Sequence, residues 1–293
     1  MGKFINPFTD YGFKKIFGQE ISKDLLIDFL NDLLKGERVI TDLTFLNNEQ
    51  LPKYDEGRGL IYDIYCCTDT GEKIIVEMQN KSQLHFKERA LYYLSNAIVQ
   101  QGEKGNEWKF NIKAVYGVFF MNFLFDHCVK LRTDVILADR DTGELFSDRM
   151  RQVFIALPLF NKEEDACEND FERWIYTLKN METLKRMPFK ARKAVFEKLE
   201  EVADVASLSK EERRRYENSV NVYRTSLCVL DAAEQEGMEK GLKKGLEEGL
   251  EKGREEGAKE KSLSIARSLK ELNTPIDVIV KSTGLSEEEI AAL

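Results

Sequence analysis

Histidine and closely spaced cysteines are scarce in this sequence. Its 293 residues include two histidines and five cysteines, and no two cysteines stand in a Cys-x-x-Cys spacing. Structural zinc sites use four Cys and His ligands at short spacings, so a histidine-rich zinc site is close to excluded. An odd number of scattered cysteines is typical of reduced thiols in a cytoplasm. We therefore expect a cytoplasmic protein in which any metal ion sits on carboxylate oxygens.

Long apolar runs are absent as well. No segment approaches the ~20 consecutive apolar residues that a membrane span requires. The N-terminal segment MGKFINPFTDYGFKK lacks the apolar core of a signal peptide. We therefore expect no membrane partner.

An excess of positive charge is also missing. The 44 Lys and Arg residues stand against 52 Asp and Glu residues, for a net charge of −8. This balance argues against a polycation that coats nucleic acid, although a local basic groove is compatible with it. The sequence also contains no Walker G-x-x-x-x-G-K-[ST], no G-x-G-x-x-G after a strand, no H-E-x-x-H and no G-x-S-x-G, which disfavours the enzyme classes that these motifs mark.

Apolar residues are plentiful enough for a sizeable core, at 42% of the chain beside 33% charged residues. Apolar periodicity predicts an α/β region at 1–160, helices at 161–236, a glycine-repeat helix at 237–261 and a short helical tail at 262–293. Within the α/β region the predicted elements are a helix capped by Thr9 or Asp10, a leucine-rich helix after Ser22, a hairpin around 60–79, a helix over 86–101 and a central strand over 114–123.

The turn of the hairpin predicts its register. The segment TDTGE fits a three-residue loop closed by Gly71 at positive φ. Thr68 then lies opposite Glu72, and five steps further Asp63 lies opposite Glu77. Directly opposed residues hold their Cβ atoms about 4.5–5.5 Å apart. The sequence therefore predicts two adjacent carboxylates.

Opposed carboxylates repel each other and destabilise a sheet. A divalent cation would offset that repulsion, and Mg²⁺ prefers one or two carboxylates together with waters and substrate phosphate. Gln79 shares the face of Glu77 because strand side chains alternate. The alternative is that the pair lies on the solvent face of an ordinary hairpin. Apolar residues argue against that alternative, since they are predicted on the opposite face (Tyr62, Ile64, Ile74, Val76, Met78) and beside the acids (Ile61, Tyr65, Ile75).

The ordered motifs of residues 3–125 resemble a known family. The segment NPFTDYGFKKIFG, a leucine-rich helix, D-x13-E-x-Q on a hairpin and F-x-x-R-x-x-Y-Y on a helix are similar to the PD-(D/E)XK nuclease family transposases, also called recombination-promoting nucleases. The glycine-repeat tail is also typical of them. The resemblance implies a restriction-endonuclease-like α/β fold at 1–160, a central mixed sheet flanked by helices. It also implies DNA as the partner, cleaved with Mg²⁺ or Mn²⁺ in recombination or mobile-element processes.

The resemblance also implies the site. Asp63 and Glu77 would be metal ligands, the Met78 carbonyl would be a third, and Gln79 would take the position of the signature lysine. Glutamine carries no cation to stabilise phosphate charge, although it can orient a water or a carboxylate. We expect the missing charge to come from one of four residues: Lys14, Arg58, Lys81 or Arg89.

Three features of the sequence each have two interpretations. Asp10 lies in the D-x-x-F-K element of the family but can also be a plain helix cap. The basic clusters at 185–198 and 213–215 can bind phosphate or be solvated helix faces interleaved with acids. The alternative function is a non-catalytic oligomerising or DNA-binding adaptor that retains a degenerate nuclease scaffold.

The glycine repeat predicts a partner. Six glycines recur every fourth residue between 237 and 257, and positions four apart form one ridge or groove along a helix. Each glycine within a helix costs about 1 kcal/mol relative to alanine, and close packing against another helix would recover that cost. We expect a homodimer through this helix, or docking onto the helical region of the chain itself.

Overall fold

The computed structural model describes residues 2–50, 59–103, 105, 108–125 and 129–293. The chain divides into two compact units, residues 1–223 and 224–293, and each is described by itself below.

A six-stranded mixed sheet forms the centre of the first unit. The described strands are β1 (Leu43–Phe45), β2 (Glu49–Gln50), β3 (Leu60–Ile61), β4 (Ile64–Thr68), β5 (Lys73–Gln79), β6 (Val115–Met121), β7 (Arg132–Ala138) and β8 (Leu145–Ala156). The sheet order is β1-β4-β5-β6-β8-β7, and β2 pairs with β3 in a separate ribbon. The pairs β5–β6 and β6–β8 are parallel and the others are antiparallel. Every residue of β6 is buried, which confirms the predicted central strand.

The described helices cover both faces of this sheet and continue beyond it. They are α1 (Asp10–Phe17), α2 (Lys23–Leu33), α3 (Phe86–Val99), α4 (Asp170–Asn180), α5 (Val195–Ala203), α6 (Lys210–Glu271), α7 (Ile276–Thr283) and α8 (Glu287–Ala291). Thr9 is the N-cap of α1, and its side chain accepts a hydrogen bond from Gly12 N–H (3.0 Å). Asp10 therefore does not cap this helix.

Two apolar clusters enclose the sheet. On one face Phe17, Phe29 and Trp174 belong to a cluster that joins the sheet to α1, α2, α4 and α5. On the other face α3 packs on the sheet through Leu94. Gly117 in β6 permits this approach, since a Cβ there would lie 2.6 Å from the Leu94 side chain. Strands buried on both faces lack the usual polar and apolar alternation.

The helical region beyond the sheet shares the first of these cores. Residues of α4 and α5 belong to the same cluster as α1 and α2. The start of α6 is also attached, because the Tyr216 hydroxyl accepts a hydrogen bond from Asn6 N–H (2.9 Å). Helix α6 runs without interruption past residues 236 and 261.

The second unit is mostly exposed helix with a small terminal core. Ala266, Ile279, Leu285 and Ile290 form that core, and Ser286 begins α8 with a capping box. No helix in the described part of the chain combines the length and apolar character needed to cross a membrane. The four cysteines within the described residues are free thiols.

Candidate active site

The hairpin that carries the two acids has the predicted register. Ile64 pairs with Val76 and the Thr68 N–H donates to the Glu72 carbonyl (2.9 Å). Gly71 closes the loop at φ +92°, a conformation that glycine adopts without steric cost. This register places Asp63 directly before the first residue of β4 and opposite Glu77.

The chain changes direction just before Asp63, and here the predicted alternation is wrong. Tyr62 was expected on the face opposite Tyr65, but both lie in the cluster under α3. Ile61 was expected to be buried beside the acids and is 66% exposed. The reason is that β3 leaves the main sheet to pair with β2, and Asn48 holds the bend by donating to the Asp63 carbonyl (2.8 Å).

The two carboxylates are interlocked through the backbone. Glu77 is only 3% exposed, and its Oε1 accepts a hydrogen bond from Asp63 N–H (3.1 Å). Asp63 Oδ2 in turn accepts from Met78 N–H (2.8 Å). Gln79 Nε2 donates to Glu77 Oε2 (3.0 Å). The sequence-predicted residues of the hairpin are therefore brought together.

The Met78 carbonyl points to the side of β5 that faces Asp63. In a strand, the N–H and C=O of one residue point to the same side, and the Met78 N–H points at Asp63. The next carbonyl, that of Gln79, points the other way and accepts from Asn122 N–H (2.9 Å). A third oxygen therefore faces the region of the two carboxylates.

The electrostatics of the pair favour protonation when no cation is near. Burial raises the pKa of Glu77 to about 8, and the neighbouring Asp63 charge contributes to the increase. Burial also raises the pKa of Asp63, against the opposing effects of the Met78 N–H and Lys14. Desolvation disfavours the charged form of an acid. A positive charge placed between the two acids would reverse this preference.

Three of the predicted auxiliary residues lie close enough to act on the pair. Lys14 and Asp10 form an ion pair (2.6 Å), and both charges influence Asp63. The Arg89 charge lowers the pKa of both acids. Arg89 donates to Gln83, while its Nη2 is buried and has no hydrogen-bond partner among the described residues. Within the described part of the chain, Arg89 is thus a cation that acts on both acids and keeps an unused hydrogen-bond donor.

A family model of PD-(D/E)XK nuclease family transposases matches residues 7–233 of the chain. The chain belongs to this family. Comparisons with curated proteins and with solved structures give no match. The six-stranded mixed sheet flanked by helices is consistent with the restriction-endonuclease-like fold that membership in the PD-(D/E)XK family implies.

The other two candidate cations of this PD-(D/E)XK chain are Arg58 and Lys81. Arg58 lies outside the described residues. Lys81 follows Gln79 by two residues and is half-buried. It forms no ion pair within the described part of the chain. Asn48 and Gln83 were not predicted, although they hold Asp63 and Arg89 in place. Neither has a signal in the sequence, since both act from loops, Asn48 across 15 residues and Gln83 across six.

The basic clusters are largely neutralised by acids. Lys193 contacts Asp28 (2.8 Å), and Lys198 contacts Asp24 (2.6 Å). On α6, Arg215 pairs with Glu211 (2.5 Å). These ion pairs favour the interpretation as solvated or structural helix faces over a phosphate-binding surface.

The residues at the hairpin edge fit a divalent cation of the kind that PD-(D/E)XK nucleases generally use. Within the described residues no three His, Cys, Asp or Glu side chains converge on one point. Mg²⁺ commonly takes only one or two carboxylates and completes its shell with other oxygens. Two desolvated acids and one carbonyl meet that requirement.

Proposed function

We propose that this protein is a divalent-metal-dependent DNA endonuclease that hydrolyses phosphodiester bonds in recombination or mobile-element processes. The observation that carries the proposal is the buried Glu77 carboxylate held against Asp63, with its pKa raised to about 8. Strongly perturbed acids that are paired in this way are typical of functional sites. Membership in a nuclease family supports the same activity.

Asp63, Glu77 and the Met78 carbonyl would hold the cation, with Mg²⁺ as the expected ion and Mn²⁺ as a substitute. When bound, such an ion polarises a phosphoryl oxygen and lowers the pKa of a water. Binding requires both acids to be deprotonated, so it is coupled to proton release.

Gln79 and Arg89 have separate roles in this proposal. The Gln79 amide donates to Glu77 and fixes its orientation, while its Oε1 can accept a hydrogen bond from the attacking water. Arg89 supplies the positive charge that the signature lysine would otherwise provide. Preorganised donors of this kind stabilise the charge that develops on the phosphate.

Dimerisation through the glycine-repeat helix is part of the same proposal. A Cβ built on any of the six glycines would meet nothing within 4 Å. The adjoining ridge of Met238, Leu242, Leu246 and Leu250 is exposed. A second copy that covers this face would recover the cost of the glycines and place two sites in one assembly to address two strands.

The test is nicking of a supercoiled plasmid by purified protein with Mg²⁺, with Mn²⁺ or with EDTA. The expected result is cleavage by wild type with either metal and none with EDTA. Both Glu77→Gln, which keeps the shape of the side chain, and Asp63→Ala are expected to be inactive but folded. Equal cutting by wild type and both variants would refute the site.

One contact favours the second candidate, a non-catalytic adaptor. Gln79 occupies the signature lysine position and bonds the Glu77 carboxylate, so the site lacks the lysine cation of the signature. The adaptor predicts DNA binding or self-association without cleavage by any divalent metal. The same nicking assay therefore separates the two candidates.

A further inference from the structure

An open groove lies between β3 and α3, and half of its lining residues are apolar or aromatic. Its volume is about 690 Å³, and it is lined by residues of β3, the loop before α3 and the first turns of α3. The apolar and aromatic lining residues are Leu60, Ile61, Leu84, Tyr92 and Tyr93. We call it the Tyr92 groove.

Arg89 belongs both to the Tyr92 groove and to the charges that act on the proposed active site. Arg89 lines the groove, and its charge acts on both Asp63 and Glu77. A second connection is the Tyr62 hydroxyl, next to Asp63, which donates to the main-chain oxygen of Tyr93 (3.3 Å). Because Arg89 lines the groove, a phosphate that Arg89 binds would place the adjoining nucleotide in the groove.

The exposed apolar surface of the groove is poorly suited to the outside of a duplex. Leu84 is 88% exposed, Ile61 66% and Tyr92 50%. A double helix presents phosphates and sugars to such a wall and keeps its base faces stacked inside. Proteins that bind single strands instead combine a cationic groove with aromatic rings on which unpaired bases stack.

The charges of the groove indicate how a nucleotide would be oriented. Among the described lining residues Arg89 is the only lysine or arginine, and Glu88 is the only acid. Arg89 Nη2 is buried and has no hydrogen-bond partner within the described part of the chain, so the guanidinium keeps one donor for a phosphate that displaces the groups covering it. Glu88, the neighbour of Arg89 on α3, carries a negative charge that repels phosphate, and Tyr92 on the same helix is half exposed.

We propose that the Tyr92 groove holds an unpaired nucleotide beside the phosphate to be cut, so that the substrate is DNA with a single-stranded segment. Tyr92 stacks on the base and Arg89 binds the phosphate. This inference rests on the proposed function for the choice of DNA as the ligand, and it adds the class of DNA.

The experiment measures binding in EDTA, by fluorescence anisotropy, of a labelled oligonucleotide as a single strand and as a duplex of the same sequence. Wild type is expected to prefer the single strand. Tyr92→Ala is expected to weaken single-strand binding about 5- to 150-fold and Tyr92→Trp to retain it. The matched control is Leu91→Ala, a 49% exposed neighbour on α3 that does not line the groove, with no expected change.

Equal affinity for both DNAs, no DNA binding, or an equal loss in Leu91→Ala would each overturn the inference. EDTA keeps this test independent of catalysis. A protein that binds single strands through Tyr92 but never cuts would contradict the proposed function alone. Cleavage of intact duplex DNA that is unchanged in Tyr92→Ala would contradict this inference alone.

Discussion

The buried Glu77 carboxylate predicts an unusual dependence of stability on pH. Burial and the Asp63 charge move its pKa from the ordinary value of 4.5 to about 8. Between these pH values the folded protein keeps a proton that the unfolded chain has released. The free energy of unfolding therefore falls as pH rises through this window, by up to about 5 kcal/mol for this group.

Glu77→Gln removes this dependence because the amide is neutral at every pH. Between pH 4.5 and 8 the unfolding free energy of the variant is expected to fall by several kcal/mol less than that of wild type. At pH 8.5 the variant is expected to be the more stable protein. Such a difference is large beside the 5–15 kcal/mol stability of typical domains. Relaxation around the site and the coupling to Asp63 reduce the full value, so we expect a difference of about 2–5 kcal/mol.

The assay is urea unfolding in EDTA across this pH range, followed by the fluorescence of tryptophan, including the buried Trp174. Glu88→Gln is the matched control, because the Glu88 side chain is exposed and its removal leaves the slope unchanged. A Glu77→Gln protein whose stability falls with pH as steeply as that of wild type would refute this role of Glu77.

Three further predictions concern other parts of the chain. Arg89→Ala is expected to lower the rate of plasmid nicking about 100-fold or more while Mn²⁺ affinity, measured by calorimetry, changes little; an unchanged rate would exclude Arg89 as the replacing cation. Gly117→Val is expected to lower the unfolding free energy by about 1–3 kcal/mol, because the new side chain overlaps the packing of α3 on β6; a thermal melt equal to wild type would contradict that packing. Gly245→Gln with Gly249→Gln is expected to raise helicity by circular dichroism, since glycine disfavours helix by about 1 kcal/mol per residue, and to abolish the dimer in sedimentation equilibrium; a retained dimer would contradict the proposed interface.

The hairpin shows which parts of the site could be predicted from the sequence. Its register follows from local chemistry, because Gly71 is suited to the positive φ of a three-residue loop and strand pairing counts outward from there. The position of Asp63 opposite Glu77 can therefore be predicted by counting residues outward from the turn. The resemblance to the nuclease family added the functional meaning of that pair.

The surroundings of the pair could not be predicted in the same way. Tyr62 was assigned to the wrong face because strand alternation holds only while a strand stays in its sheet, and the chain turns at that residue to pair β3 with β2. The position of Lys14 near Asp63 depends on the packing of α1 against the sheet, and no local pattern encodes that distance. The hydrogen bond from Gln79 to Glu77 likewise depends on side-chain conformation and not on residue spacing.

The most direct test of the central claim is calorimetric titration of Mn²⁺ into the full-length protein at pH 7 in buffers of different ionisation enthalpy. Binding is expected to release protons, because Glu77 with its raised pKa must lose its proton to become a ligand. Binding is expected to be lost in both Glu77→Gln and Asp63→Asn, and kept in the exposed control Glu88→Gln. Unchanged affinity in the first two variants, or an enthalpy independent of buffer, would contradict the claim that these two acids form a metal site.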